Sequence, residues 1–218
     1  MLSIPELYYG WITFWGTYFI ASCFFPDDSI VRPTAKIMKR NVIIRLLQNC
    51  AITAITIPLI YRVPQVIWFS TEWYGYILKY VFVLFLSETW FYYVHRLLHH
   101  KLFYRWHADH HAYIQPYALA GFYCSLVEMI LVNQLSMSVP FQLVGFTVHE
   151  LLLASFLVPL SVLRGHAGLH LRTDLPSWFP VWLVSNWDHD LHHRTMTCNF
   201  GLLYLLDRVH GTYKEDQH

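Results

Sequence analysis

The apolar positions of this chain fall in long runs separated by short polar links. Residues 8–25 form the first run, without a formal charge. A helix crosses a bilayer with about 20 apolar residues and no fewer than about 17, so this run predicts a spanning helix. The preceding "MLSIPEL" has no Lys or Arg. It lacks the cationic start of a cleaved signal peptide, so the helix is expected to stay as an anchor. A second run covers 42–61, with Arg45 and Asn49 in its first half. Arg45 is expected to lay its stem along the helix and carry its head to the interface. The third run, 75–94, is interrupted by Lys79 and Glu88. Runs four and five, 122–143 and 146–163, are joined by a very short link near residues 140–145. That link predicts a helical hairpin, spanning or re-entrant. The pattern gives an all-α membrane protein with four to five transmembrane or re-entrant helices.

Composition agrees. Hydrophobic residues make up 56% of the 218 and charged residues 13%, and mean hydropathy is +0.34. Soluble domains carry nearer one quarter charged residues. A net charge of +1 leaves no basic excess to attract nucleic acid. Cys23, Cys50, Cys124 and Cys198 lack any CxxC spacing and read as reduced, buried small hydrophobes.

The basic residues are unevenly placed. The loop at 26–41 holds Arg32, Lys36, Lys39 and Arg40, the link at 62–73 only Arg62, and the stretch at 95–119 holds Arg96, Lys101 and Arg105. The tail beyond 163 holds Arg164, Arg172, Arg194, Arg208 and Lys214. Basic loops stay cytoplasmic. Loop 26–41, stretch 95–119 and the tail are therefore expected on the cytoplasmic side, opposite the N-terminus and the turn near 144.

All four histidine clusters fall on that side. They are "HRLLH" (His95, His99), "HADHH" (His107, His110, His111), "HAGLH" (His166, His170) and "HDLHH" (His189, His192, His193). On a helix, positions i, i+3 and i+4 share a face, so each cluster can aim two or three imidazoles at one point. Ten candidate ligands exceed the needs of one four-coordinate zinc; two metals with four or five nitrogens each would use them. A zinc-buffering or proton-relay surface is the alternative. His149 and His218 read as ordinary surface or hydrogen-bonded residues. His210 reads as a loop or supporting residue, and His100 should point away from His99. A ligating imidazole usually gives its other N–H to a carboxylate or carbonyl, a role open to Asp109, Asp188 and Asp190. Glu88, Tyr92, His95 and His99 share one helix face, and a carboxylate at membrane depth is functional by default. Glu128 raises the same question, with interhelical hydrogen bonding as the plain reading.

Imidazole ligation suits Zn, Cu, Fe and Ni alike, so the spacing leaves the metal open. A zinc site would activate water, with Glu88 as the one carboxylate base near a cluster. A non-enzymatic metal- or haem-binding protein is the remaining alternative. No G-x-S-x-G nucleophile motif is present.

The strings "ETWFYYVHRLLHHKLFYRWHADHH", "HAGLH", "DHDLHH" and "NFGLLYLLDRVHGTY" resemble the fatty acid hydroxylase / sterol desaturase superfamily. The likeness covers residues 83–213, after N-terminal membrane helices at 1–82 and before a short tail at 214–218. It implies a membrane-embedded non-haem di-iron enzyme, usually of the endoplasmic reticulum. Such an enzyme uses O2 to hydroxylate or desaturate a fatty acyl, sphingolipid or sterol substrate. It further implies His95, His99, His107, His110, His111, His166, His189, His192 and His193 as metal ligands. His170 lies in a variable part of its box. Asn199 is implied as a cap or supporting residue. No H-P-G-G haem signature is present, so electrons are expected from a separate cytochrome b5 and its NAD(P)H reductase.

Overall fold

The computed structural model describes residues 2–25, 32–33, 39–60, 64–70, 72–167 and 186–215. It is a bundle of helices laid side by side, with a cap of short elements at one end. Helix α1 is Ile4–Ser22, α2 Lys39–Ile60 and α3 Trp73–Leu98. The next span starts as α4 (Leu126–Glu128), passes through a π-helical stretch at Met129–Gln134, and ends as α5 (Leu135–Val144). Helix α6 is Val148–Gly165, α7 Asn186–Thr195 and α8 Leu205–His210. A two-residue strand β1 (Arg32–Pro33) pairs antiparallel with β2 (Tyr113–Gln115), the one ladder among the described residues.

Four of these helical segments are long and apolar enough to cross a membrane: Asn41–Leu59, Trp73–Leu98, Leu126–Val144 and Val148–Gly165. Predicted runs two to five thus have their helices. The first run forms α1 but does not reach the same hydropathy. Tyr8, Tyr9, Trp11, Trp15 and Tyr18 supply its bulk, and each brings a polar handle. Three of those handles turn inward: Trp11 and Trp15 Nε1 both donate to Thr53 Oγ1, and Tyr18 Oη to the Leu119 carbonyl. Helix α1 starts at a capping box, Ser3 with Glu6.

The helices turn apolar side chains outward. Leu47, Ile55, Ile77, Val81 and Phe85 are all exposed, as helices that meet lipid require. Their inner faces carry polar links. Asn49 Nδ2 donates to the Phe122 and Cys124 carbonyls, Thr56 Oγ1 to Gln134 Oε1, and Gln134 Nε2 to the Thr53 carbonyl. Trp90 Nε1 donates to the carbonyl of Leu131, within the π-helical stretch.

Two apolar clusters mark the ends. Leu2, Leu7, Ile57, Val83, Val144 and Phe146 pack at one. There the link between α2 and α3 is pinned, with Val66 and Ile67 N–H both donating to the Leu143 carbonyl. Trp15, Tyr18, Leu46, Phe122 and Leu163 pack beneath the cap at the other. Arg45 does not simply reach for an interface; it pairs with Asp109 of the cap at 2.9 Å. All four cysteines are free, Cys124 and Cys198 buried as expected, Cys50 half-buried and Cys23 exposed.

Candidate metal centre

The cap collects histidines from four segments of the chain. Helix α3 buries one stripe, Lys79, Val83, Ser87, Glu88, Tyr92 and His95, which brings His95 to its last turn with His99 at the C-cap. The next segment is not α-helical. Tyr104–Trp106 and His110–Ala112 are single 3-10 turns, so "HADHH" is a folded-back loop and the helical spacing expected for it does not apply. His166 caps α6, and His189, His192 and His193 lie on α7.

Nine of the ten candidates gather into two groups. His95, His99, His107, His111 and His192 form one; His110, His166, His189 and His193 form the other. Within each group the candidate ligand atoms lie within 4.8 Å of one another. His170 lies outside the described residues. Both "HxxHH" motifs are split. From the loop, His107 and His111 enter the first group and His110 the second. From α7, His192 enters the first, while His189 and His193 enter the second.

Backbone carbonyls set the rings. His95 Nδ1 donates to the Phe200 carbonyl at 2.7 Å, His192 Nδ1 to the Cys198 carbonyl at 2.7 Å, and His166 Nδ1 to the Val162 carbonyl at 2.8 Å. A carbonyl only accepts, so each neutral ring keeps its proton on Nδ1 and a lone pair on Nε2. His107 Nδ1 lies 2.9 Å from Glu128 Oε2, though without a hydrogen-bond angle.

The Nε2 atoms then face one another. His95 and His107 Nε2 are 3.0 Å apart; His189 Nε2 is 3.0 Å from that of His166 and 3.1 Å from that of His193. At that distance two neutral rings either share one proton in an N–H···N hydrogen bond or hold a cation between their lone pairs. Nitrogens bound to one ion at about 2.0–2.1 Å stand about 2.9–3.4 Å apart. The buried Nε2 atoms of His99 and His192 have no hydrogen-bond partner. Donor type and spacing fit a divalent ion in each group, and these orphaned nitrogens fit one in the first.

The rings are held in the ligating form. Burial, then repulsion from neighbouring imidazoles, pushes His99, His107, His110, His189 and His193 well below the ordinary histidine range. Burial pushes His166 down to about 4. Neutral imidazole is the species that binds metal.

Glu88 and Asp109 are engaged by groups other than imidazoles. Glu88 makes its hydrogen bonds to backbone: its carboxylate accepts from the N–H groups of Leu202, Leu203 and Leu206. Asp207 accepts from the Phe200 and Gly201 N–H groups and from Thr212 Oγ1. Together they fix the peptide whose carbonyl orients His95. Asp109 is paired with Arg45. Asp188 Oδ2 accepts from Tyr213 Oη, and its carbonyl from Asn199 Nδ2. Asp190 is buried on α7. Asn199 has a positive φ of 57° and ties α7 to the tail through Asp188 and Lys214. His100, His149 and His210 are exposed and outside both groups.

A carboxylate that lies against the histidines is Glu128, 2% exposed at the end of α4. A lone acid in an apolar run was its only signal in the sequence. The carbonyls of Val162, Cys198 and Phe200 left no signal, since every residue has one.

Residues 80–212 match the family model described as Fatty acid hydroxylase. The chain is 33% identical over 123 residues to the C-4 methylsterol oxidase erg25 of Schizosaccharomyces pombe, covering 54% of the chain and 40% of that protein. It is 32% identical over 140 residues to the sphingolipid C4-hydroxylase SUR2 of Saccharomyces cerevisiae, 60% of the chain and 39% of that protein. It is 26% identical over 152 residues to methylsterol monooxygenase 1 of Rattus norvegicus, 65% of the chain and 48% of that protein. The chain thus spans less than half the length of each. No solved structure matches it.

Proposed function

The chain belongs to the fatty acid hydroxylase / sterol desaturase superfamily, and from that premise we propose that it is an O2-dependent di-iron lipid oxidoreductase, hydroxylating or desaturating a sterol, sphingolipid or fatty acyl chain. The observation that carries this reading is the pair of all-imidazole groups, five and four, at one end of an apolar helical bundle. His95, His99, His107, His111 and His192 would hold one ion, and His110, His166, His189 and His193 the other. Iron bound there would supply the reduction of O2 and the oxidation of a lipid C–H bond.

The protein's own part is to hold and shield. Carbonyls of Val162, Cys198 and Phe200 fix three rings with their lone pairs inward. Phe200 packs against His95, His99 and His192, closing the first group from water. An apolar substrate would come to the site from the bilayer that the spans cross. Names of the matched relatives support a sterol or sphingolipid substrate. Hydroxylation places one oxygen atom of O2 in the product and reduces the other to water with two electrons. A separate cytochrome b5 with its NAD(P)H reductase is the donor in this reading, at the cytoplasmic face of the endoplasmic reticulum. The zinc hydrolase alternative relied on Glu88 as base, and that carboxylate is occupied by three backbone N–H groups.

The test is lipid analysis of membranes expressing the chain or its His193→Ala variant, under 18O2 and without oxygen. A new hydroxylated lipid carrying the label, or a new unsaturated lipid, absent without oxygen and in the variant, is the expected result. A product formed equally without oxygen would overturn the proposal.

A further inference from the structure

Glu128 stands where the two histidine groups meet. Its Oε2 is 2.9 Å from Nδ1 of His107, a member of the first group, and its Oε1 is 3.9 Å from Nδ1 of His110, a member of the second. The two rings are stacked, 5.2 Å between centroids and 22° between planes. One carboxylate thus faces one histidine from each group.

Its place is built from both sides. Ser125 caps the helix start by accepting from the Glu128 N–H at 3.1 Å. The same Ser125 hydroxyl donates to the carbonyl of Trp106, the residue before His107. The loop that carries His107 is therefore tied to the turn that carries Glu128.

No lysine or arginine pairs with Glu128 among the described residues, and the Arg45 guanidinium is taken by Asp109. A carboxylate this buried is costly without compensating positive charge. Imidazoles in the neutral form supply none. Two divalent ions on the far side of those imidazoles would.

Resting on the reading that each group holds an ion, we propose that Glu128 is a positioning residue for both at once. Its Oε2 stands within reach of the His107 Nδ1 proton, while its Oε1, 3.9 Å from His110 Nδ1 and beyond hydrogen-bond distance, acts on that ring through its charge. Its charge offsets part of the positive charge that neutral imidazoles leave uncompensated. The two sites would then share one support, and its loss should weaken both.

The test is equilibrium dialysis of the detergent-purified full chain, stripped of metal, against Co(II). Bound cobalt is counted by mass spectrometry, and its visible absorption reports coordination. Wild type, Glu128→Gln and Glu128→Asp are compared, with helicity and gel-filtration volume as folding controls. The wild type should take up two ions. In Glu128→Gln, the same shape without the charge, both affinities should fall by about 10–100-fold, the usual loss when a ligand's supporting partner is removed. Glu128→Asp keeps the charge at shorter reach and should lie between. A Glu128→Gln protein that binds both ions at wild-type affinity would overturn the proposal, as would one weakened for a single ion only. If Glu128→Gln does not fold, Glu128→Asp carries the test: both affinities should fall, and two unchanged affinities would overturn it. A wild type that takes up fewer than two ions overturns the two-ion reading, and this proposal with it, before any variant is compared.

Discussion

A Cβ on Gly201 would stand 2.5 Å from Oε1 of Glu88 and 2.9 Å from Oδ2 of Asp207. Neither carboxylate is free to retreat, since Glu88 holds three backbone N–H groups and Asp207 two. The glycine lets the closing loop settle onto both acids. That loop carries the Phe200 carbonyl to His95.

Gly201→Ala should therefore act as overpacking, at about 1–3 kcal/mol, and should also displace the support of His95. Thermal unfolding in detergent with metal analysis of the same sample checks both. The expected result is a lower Tm with less bound metal. An unchanged Tm would mean that the loop accommodates the methyl group.

At the opposite end of the bundle, Lys79 Nζ lies 2.8 Å from Glu150 Oε1, with side chains only 11% and 10% exposed. Glu150 also completes the capping box of α6 with Thr147. Removing one partner of a buried pair leaves an uncompensated charge and costs about 3–5 kcal/mol, whereas replacing both with apolar residues is often neutral. Lys79→Met should thus lower Tm far more than the double change Lys79→Met/Glu150→Leu. Metal content of the double variant should match the wild type, because the pair lies at the far end from the cap. Equal Tm losses would contradict this.

Acid should destabilise the metal-free protein in a defined window. Burial lowers His166 in the folded state to about 4, against its ordinary 6.5. Between these values the unfolded chain binds the extra proton and the folded chain does not. Stability therefore falls as pH drops from about 6.5 to about 4, by up to about 1.4 kcal/mol per pH unit for each such imidazole. Below about 4 His166 adds nothing more. The other depressed imidazoles of the cap act in the same direction. Tm of the stripped protein should hold from pH 7.5 to about 6.5 and fall from there to 4.5; a profile flat throughout would contradict the neutral state assigned to the cage.

The spans were legible because lipid imposes length and apolarity together, and the runs at 42–61, 75–94, 122–143 and 146–163 met both. The run at 8–25 met the length but drew its bulk from Trp and Tyr, whose polar atoms turn inward to Thr53 and Leu119. The histidine clusters announced a cage, yet their partition was hidden. Helical periodicity holds for α7, where His189 and His193 share a group at spacing i, i+4 and His192 crosses to the other. It fails for the loop carrying His107, His110 and His111, because 3-10 turns redirect each ring. Glu88 shared the helix face of His95 as expected, but its partners, backbone N–H groups from the end of the chain, were invisible to periodicity. Glu128 showed only as a charge in an apolar run.

The central claim is that two separate imidazole groups each hold an ion. The most direct measurement is metal per chain, by mass spectrometry, on detergent-purified protein grown with iron. Wild type is compared with His99→Ala/His192→Ala, which leaves three imidazoles in the first group, and His189→Ala/His193→Ala, which leaves two in the second. The account predicts two ions in the wild type and one in each double variant. One ion or none in folded wild type, or two ions retained by both variants, would contradict it.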